Sequence, residues 1–422
     1  MKLFVSLQKI QSQIKFVVMS EKFIVREKYV EKIRLFIGKN VIKVLTGQRR
    51  VGKSCILLQL IDEIKNSVVG ANIIYINLEL EKFRYLKTSK DLYEYVNSKL
   101  VDNASLNYLF IDEIQEVADF QNAVRSLLAE QKCDIFITGS NANLLSGELA
   151  TSLSGRYMNF EIHSLSYKEF QQFHHLENAQ QTLEKYLTFG GMPFLKNLEL
   201  SESQSFEYLK NVYATILLKD VVAREKIRNV AFLENLVTYL ADNVGSLFSA
   251  LNISKYLKSQ QVDVSSQVII SYLRALVNSF FVHKVIRSDV AGMKIFEIGE
   301  KYYFEDLGLR NVISGFNAVK DIAKILENAV YLHLIRCGYK VFVGKVGDRE
   351  IDFVGEKNGI KIYVQVSLTI MNEKTQEREF NSLLLVQDNY PKYVVTLNDM
   401  HIGNDYKGIQ CFNLKEFLEI EL

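Results

Sequence analysis

An α/β fold around a parallel sheet is what this 422-residue sequence predicts. Three observations carry the prediction. Five short apolar runs, at 41–45, 72–77, 107–111, 134–138 and 157–162, alternate with segments of helical periodicity. That order is the pattern of parallel strands joined by crossover helices, with a ligand at the carboxyl ends of the strands. Gly47 to Ser54 fits the phosphate-loop pattern G-x-x-x-x-G-K-[ST], entered by the first apolar run and left by an amphipathic run, Cys55 to Lys65. A third run ends in an acidic pair, Asp112-Glu113.

The chain is long enough for two or three domains with their own cores. Hydrophobic residues make up 48% and charged residues 24%, which is ordinary for a globular protein. A net charge of +2 gives no electrostatic case for tight non-specific binding to nucleic acid. Residues 1–20 form an N-terminal extension with Lys2, Lys9 and Lys15, without the apolar core or cleavage site of a signal peptide. No run reaches the ~18 apolar residues of a membrane span. Cys55, Cys133, Cys337 and Cys411 are far apart, so neither a zinc site nor a disulfide framework is indicated, and a reducing cytoplasm is expected.

Residues 21–165 read as the nucleotide-binding core. Backbone N–H groups from Gly47, Gln48, Arg49, Arg50, Val51, Gly52, Lys53, Ser54 and Cys55 would point at phosphate oxygens, helped by the positive end of the helix dipole. Lys53 would reach the outer phosphates of ATP, and the Ser54 hydroxyl would sit on Mg²⁺. Asp112, at the end of a strand buried on both faces, would hold the same ion through water. Glu113 would orient and deprotonate the attacking water. After the strand 134–138, Ser140 and Asn141 are both candidates to touch that water or the γ-phosphate, with Asn141 preferred; capping a helix is the competing use. Arg156, after a short helical segment, is a candidate to stabilise charge on the transferred phosphoryl group, in cis or from a neighbouring subunit. A surface arginine is the plainer alternative.

Residues 166–243 are helical, interrupted at Gly190-Gly191-Met192-Pro193, and are expected to form a lid. Lys219, Asp220 and Arg224 read as a solvated or lid-facing charge cluster. Residues 244–300 give helix, turn, helix and hairpin, the winged-helix layout. Gln267, Tyr272, Arg274 and Asn278 are the few side chains that could read a base, so a protein-docking or structural wing is favoured over DNA recognition. Residues 301–422 have the arrangement of a restriction-endonuclease-like core: an acid on a helix, Glu327, an acid on a strand, Asp352, and a third pair on the next strand. Gln365 and Ser367 stand where a carboxylate and a lysine belong, so the nuclease site reads as degenerate, with Lys361 a displaced substitute at most.

The landmarks LTGQRRVGKS (45–54), FIDEIQ (110–115), ITGSNA (137–142), LSGRY (153–157), GGMP (190–193), LLKDVV (217–222), KYYFEDLGLRN (301–311), REIDFV (349–354) and VQVS (364–367) span nearly the whole chain. In this order they resemble a widespread bacterial and archaeal family of AAA-type ATPases whose C-terminal half is uncharacterised. The resemblance implies ATP binding, hydrolysis, a winged helix and a nuclease-like tail, and it names no cargo. It implies an ATPase that drives or switches its C-terminal domains. Two alternatives remain: an ATP-regulated DNA-binding protein or nuclease, and a nucleotide-dependent regulator that does not hydrolyse. ATP, an unknown protein docking on the C-terminal half, and further copies of the chain are the expected partners.

Overall fold

The structure is a computed structural model and describes residues 24–142, 144, 153, 155–259, 261–290, 295–368, 380–397 and 405–422. The expected extension at 1–20, Ser154 and Lys294 lie outside these. The chain divides into two compact units, one ending at Ile162 and one beginning at His163.

In the first unit, α1 (Glu27–Arg34) precedes β1 (Ile42–Thr46), α2 (Lys53–Ser67), β2 (Asn72–Asn77), α3 (Ser89–Asn97), β3 (Asn107–Asp112), α4 (Phe120–Ala129), β4 (Asp134–Gly139) and β5 (Tyr157–Glu161). The strands form one sheet in the order β2-β3-β4-β1-β5, and every pair is parallel. Crossover helices cover both faces, so the central strands are buried throughout: all five residues of β1 and all six of β3. Ile42, Val44, Leu109, Ile111, Ile135 and Ile137 meet Leu92, Val96, Val124 and Leu127 of the helices in one core.

Lys43 lies inside this sheet, fully buried, and its ammonium pairs with Asp134 on the adjoining strand β4. Burial pushes the Lys43 pKa down, and the Asp134 carboxylate pulls it partly back. A buried charge without that partner would cost several kcal/mol.

The second unit begins with helices α5 (Tyr167–His174), α6 (Gln180–Phe189), α7 (Glu207–Thr215) and α8 (Val230–Asp242). A π-helical stretch, Ile216–Ala223, separates α7 from α8. It corrects one expectation. Asp220 is not solvated but 2% exposed, with Arg224 at 3.6 Å. Next come α9 (Ala250–Ser259), α10 (Ser266–Asn278), β6 (Val282–Asp289) and β7 (Ile295–Phe304), in the expected order of two helices and a hairpin. Tyr272 of α10 is buried and accepts a hydrogen bond from Asn229 N, so it serves the core; Gln267 and Arg274 are exposed.

The hairpin does not stand apart as a wing. After α11 (Leu307–Ser314) and α12 (Ala318–Arg336), β8 (Lys340–Val346) pairs in parallel with β6, Arg287 opposite Val343. β9 (Arg349–Lys357), β10 (Ile360–Ser367), β11 (Lys392–Thr396), β12 (Asp405–Tyr406) and β13 (Ile409–Asn413) complete an eight-stranded sheet, β12-β13-β11-β10-β9-β8-β6-β7. The boundary expected between residues 300 and 301 therefore falls inside β7.

At the end of β7, two distant landmarks meet. Glu305 is fully buried; its carboxylate accepts from Ser164 N at 2.7 Å and contacts His163 Nδ1 at 3.0 Å and His283 Nε2 at 2.6 Å. Burial would raise its pKa, but the two imidazoles outweigh burial and hold it well below the carboxylate range. Asp306 accepts from Gly191 N at 2.7 Å and Leu309 N at 3.0 Å. Gly190 has φ +73°, and a Cβ there would lie 2.4 Å from Asp306 Oδ1. Gly190 is thus required by packing against Asp306, and Gly191 by the Leu165 carbonyl 2.4 Å from where a Cβ would lie, beyond the turn read in the sequence.

Candidate nucleotide-binding site

The carboxyl ends of β1, β4 and β3 lie side by side, since Thr46 stands opposite Gly139 and Ile111 opposite Ile137. Everything that follows those three strand tips converges. After β1 comes the phosphate loop, and α2 opens on its Lys53, two residues earlier than the amphipathic pattern indicated. Gly47 has φ +138°, and a Cβ on it would lie 2.1 Å from Ile162 O, so the neighbouring strand end as well as the phosphate demands glycine. Gly52 has φ +100° and Arg50 +73°, conformations that turn successive backbone N–H groups inward.

Lys53 is 4% exposed and donates to Gly47 O at 2.9 Å and Gln48 O at 3.0 Å. Arg49 is buried and pairs with Glu79 at 3.0 Å. Arg26, which the sequence did not single out, donates from Nη1 to Val51 O at 3.0 Å and braces the loop from behind. The Gln48 side chain is 1% exposed, yet neither of its amide atoms has a hydrogen-bond partner among the described residues.

Asp112 ends β3. One hydroxyl, Thr138 Oγ1, donates to Asp112 Oδ1 at 2.5 Å and accepts from Glu113 N at 2.9 Å. The Ser54 hydroxyl also acts on the Asp112 carboxylate, drawing its pKa down. Glu113 adopts φ +59°, uncommon for a residue with a side chain. Its Oε2 accepts from Ser140 Oγ at 3.1 Å and from Gln115 Nε2. Burial pushes Asp112 above the ordinary aspartate range, against the pull of the Thr138 and Ser54 hydrogen bonds. Burial also pushes Glu113 up, but Lys53 and Arg49, then Gln115 and Ser140, outweigh it and leave Glu113 below the ordinary range. Two adjacent carboxylates are thus set apart by their surroundings.

Of the two candidates after β4, Ser140 reaches Glu113. Asn141 is buried, and its carbonyl accepts from Leu144 N at 3.2 Å, opening a turn. Cys55 follows in the first turn of α2, and none of the four cysteines is in a disulfide. Arg156 does not join these residues. Its carbonyl accepts from Ile42 N at 2.9 Å, at the amino end of β1. Five strand residues separate that end from the loop, about 16 Å at ~3.3 Å per residue. Thr138 and Gln115 were missed; the first was read only as strand and the second only as part of a landmark.

Of the other predicted constellation, Asp352 of β9 and Gln365 of β10 meet: Asp352 Oδ2 accepts from Val366 N at 2.8 Å, and Asp352 N donates to Gln365 Oε1 at 3.4 Å. Glu327 of α12 pairs with Lys301 of β7 at 3.1 Å. Ser367 is buried at the end of β10. Lys361 stands opposite Glu356, four residues along β9 from Asp352, and is not a substitute.

Several known proteins resemble this chain. A family model described as an AAA domain matches residues 39–171, and a domain of unknown function matches residues 180–320. An uncharacterised protein of Haemophilus influenzae is 36% identical over 405 residues, covering 95% of this chain and all of that one. An uncharacterised protein of Methanocaldococcus jannaschii is 32% identical over 382 residues, covering 85% of this chain and 83% of that one. Among solved structures, the Aeropyrum pernix ORC1 protein in complex with DNA aligns with a TM-score of 0.31 at 11% identity, covering 69% of this chain and 92% of that one. AMPPCP-bound DnaA from Aquifex aeolicus aligns with a TM-score of 0.31 at 16% identity, covering 61% and 90%. The chain belongs to one family with these bacterial and archaeal proteins, and its residues 39–171, with their phosphate loop and parallel sheet, form an AAA-type P-loop domain.

Proposed function

We propose that the protein binds MgATP and hydrolyses it to drive or switch a conformational change in its C-terminal domains. The observation that carries this reading is the placement of Glu113, fixed by Ser140 and Gln115, beside Asp112 and facing Lys53. Hydrolysis of a phosphoanhydride needs positioning and charge neutralisation, and little covalent chemistry from the protein. Lys53 and the loop N–H groups bind the phosphates. The buried, unpaired amide of Gln48 suits a loop whose polar groups await a ligand. Ser54 and Asp112, close enough for the hydroxyl to draw the carboxylate pKa down, are the pair that would hold Mg²⁺. The ion supplies charge neutralisation at the outer phosphates. Glu113 is ionised at neutral pH, so it accepts a hydrogen bond from the attacking water and then its proton. Thr138 ties the Asp112 carboxylate to the Glu113 backbone.

Arg156 enters only through a second copy of the chain, because its own sheet separates it from its own loop. Light scattering with and without ATP tests that. For the core reading, the test is a pair of variants. Lys53→Ala should lose about 100-fold in MgATP affinity, or ~2.7 kcal/mol of charge-assisted contacts. Glu113→Gln should keep binding and stop turnover. Wild-type turnover by Glu113→Gln would remove the base assignment.

A further inference from the structure

The phosphate loop carries two arginines of its own, and they are placed differently. Arg50 is exposed, whereas Arg49 is 8% exposed. Arg49 Nη1 donates to Glu79 Oε1 at 3.0 Å. Glu79 lies two residues beyond the end of β2, whose last residue, Asn77, stands opposite Asp112. Its backbone N–H donates to Asn77 Oδ1 at 2.9 Å, and Leu78 N donates to Asp112 O at 3.2 Å, so the chain bearing Glu79 runs beside the acidic strand tip. The charge of Arg49 also acts on the Glu113 carboxylate, second only to that of Lys53 among the nearby cations. Arg49 therefore reaches from the loop towards the tips of β2 and β3, on the side where Glu113 sits.

Bracing the loop does not account for this placement, because Arg26 already braces it through Val51 O. Nor is Glu79 a strong anchor. Its side chain is 46% exposed, and an ion pair with a partner so open to water is weak. A phosphate oxygen is the better acceptor for a guanidinium, whose planar fork of N–H donors fits it. During hydrolysis the water oxygen bonds to the γ-phosphorus as its proton passes to Glu113. The bond from that phosphorus to the bridging oxygen breaks and leaves its electron pair on ADP. Negative charge spreads over the γ-phosphoryl and bridging oxygens. A guanidinium near Glu113 meets that charge on the face where the water arrives.

We propose that Arg49 is a catalytic arginine supplied by the loop itself: it leaves Glu79, its resting counter-ion, and donates to the γ-phosphoryl oxygens as the phosphoanhydride breaks. This rests on the hydrolytic reading above. It gives the charge-stabilising role to a residue of the same chain, whose Arg156 is out of reach of its own loop.

Variants of the full chain test this by phosphate release and by nucleotide titration. Arg49→Ala should bind ATP within about threefold of the wild type and turn over about 1,000-fold more slowly. It should also lose the wild type's preference for ADP with aluminium fluoride, a mimic of the transition state, over ADP alone. Arg49→Lys should recover only part of the rate, since a point charge lacks the fork. Glu79→Gln should turn over at least as fast as the wild type. If Arg49→Ala cannot fold, Arg49→Gln carries the same comparison. Three results would overturn the proposal: wild-type turnover by Arg49→Ala, an undiminished preference of that variant for the aluminium fluoride complex, or a Glu79→Gln as slow as Arg49→Ala, which would make the ion pair a brace. A wild type that binds ATP but neither hydrolyses it nor prefers the mimic would remove the hydrolytic reading itself, and this role with it.

Discussion

The chain carries two clusters that pair a lysine with carboxylates at strand ends, and they differ in where the ammonium is parked. In the first unit Lys53 is held by two backbone carbonyls, Gly47 O and Gln48 O, while Asp112 and Glu113 are held by hydroxyls and an amide. In the second unit Lys301 rests directly on Glu327 and Glu350. Neutral partners orient a carboxylate without cancelling its charge; an ammonium at salt-bridge distance cancels it. The same residue types therefore give one site suited to a polyanion with its metal and one site already neutralised. Residue inventory alone does not tell a carboxylate held by neutral groups from one held by an ammonium.

That contrast can be broken most sharply at Glu113. Glu113→Gln should slow ATP turnover about 100- to 10,000-fold, measured as phosphate release, with nucleotide affinity retained. Lys301→Met should leave turnover near the wild-type value but lower unfolding free energy by about 2 kcal/mol in urea titrations, because it removes the ammonium that Glu327 and Glu350 share. A large turnover defect in Lys301→Met would show that the second cluster is not merely a neutralised one. Thr138→Val should slow turnover about tenfold, ~1.4 kcal/mol, by releasing the hydroxyl that joins Asp112 to Glu113. Glu350→Gln should have the smallest effect, about 1 kcal/mol of stability, since Glu327 still holds the ammonium. Should Glu350→Gln match Lys301→Met in cost, Glu350 rather than Glu327 is the main anchor.

The sequence shows the first site well and the second poorly, for a physical reason. Gly47, Gly52, Lys53 and Ser54 act within one turn of chain, so their chemistry is written at fixed spacing. Asp112-Glu113 is legible because a fully apolar strand ends there. Thr138 reads as strand filler until the fold puts its hydroxyl between the Asp112 carboxylate and the Glu113 backbone N–H. Lys43 looks like a flaw in an apolar run, and its partner Asp134 is 91 residues away. Lys301 is 26 residues from Glu327 and carries no local mark of its role. Arg156 is a different case: strand direction puts it at the amino end of β1 and β5, so its own loop is out of reach and the reading from a neighbouring subunit stays open.

The strand Ile295–Phe304 has a practical consequence for anyone dividing this protein. It closes one edge of the large sheet, presents Lys301 and Tyr303 to the acidic cluster, and delivers Glu305 to its two imidazoles. A fragment starting at residue 301 would lose the hairpin and leave β8 with unpaired backbone groups along its side, an invitation to sticky self-association. A soluble tail has to begin upstream of Val282, and expression trials that ignore this would mistake a severed strand for an unstable domain.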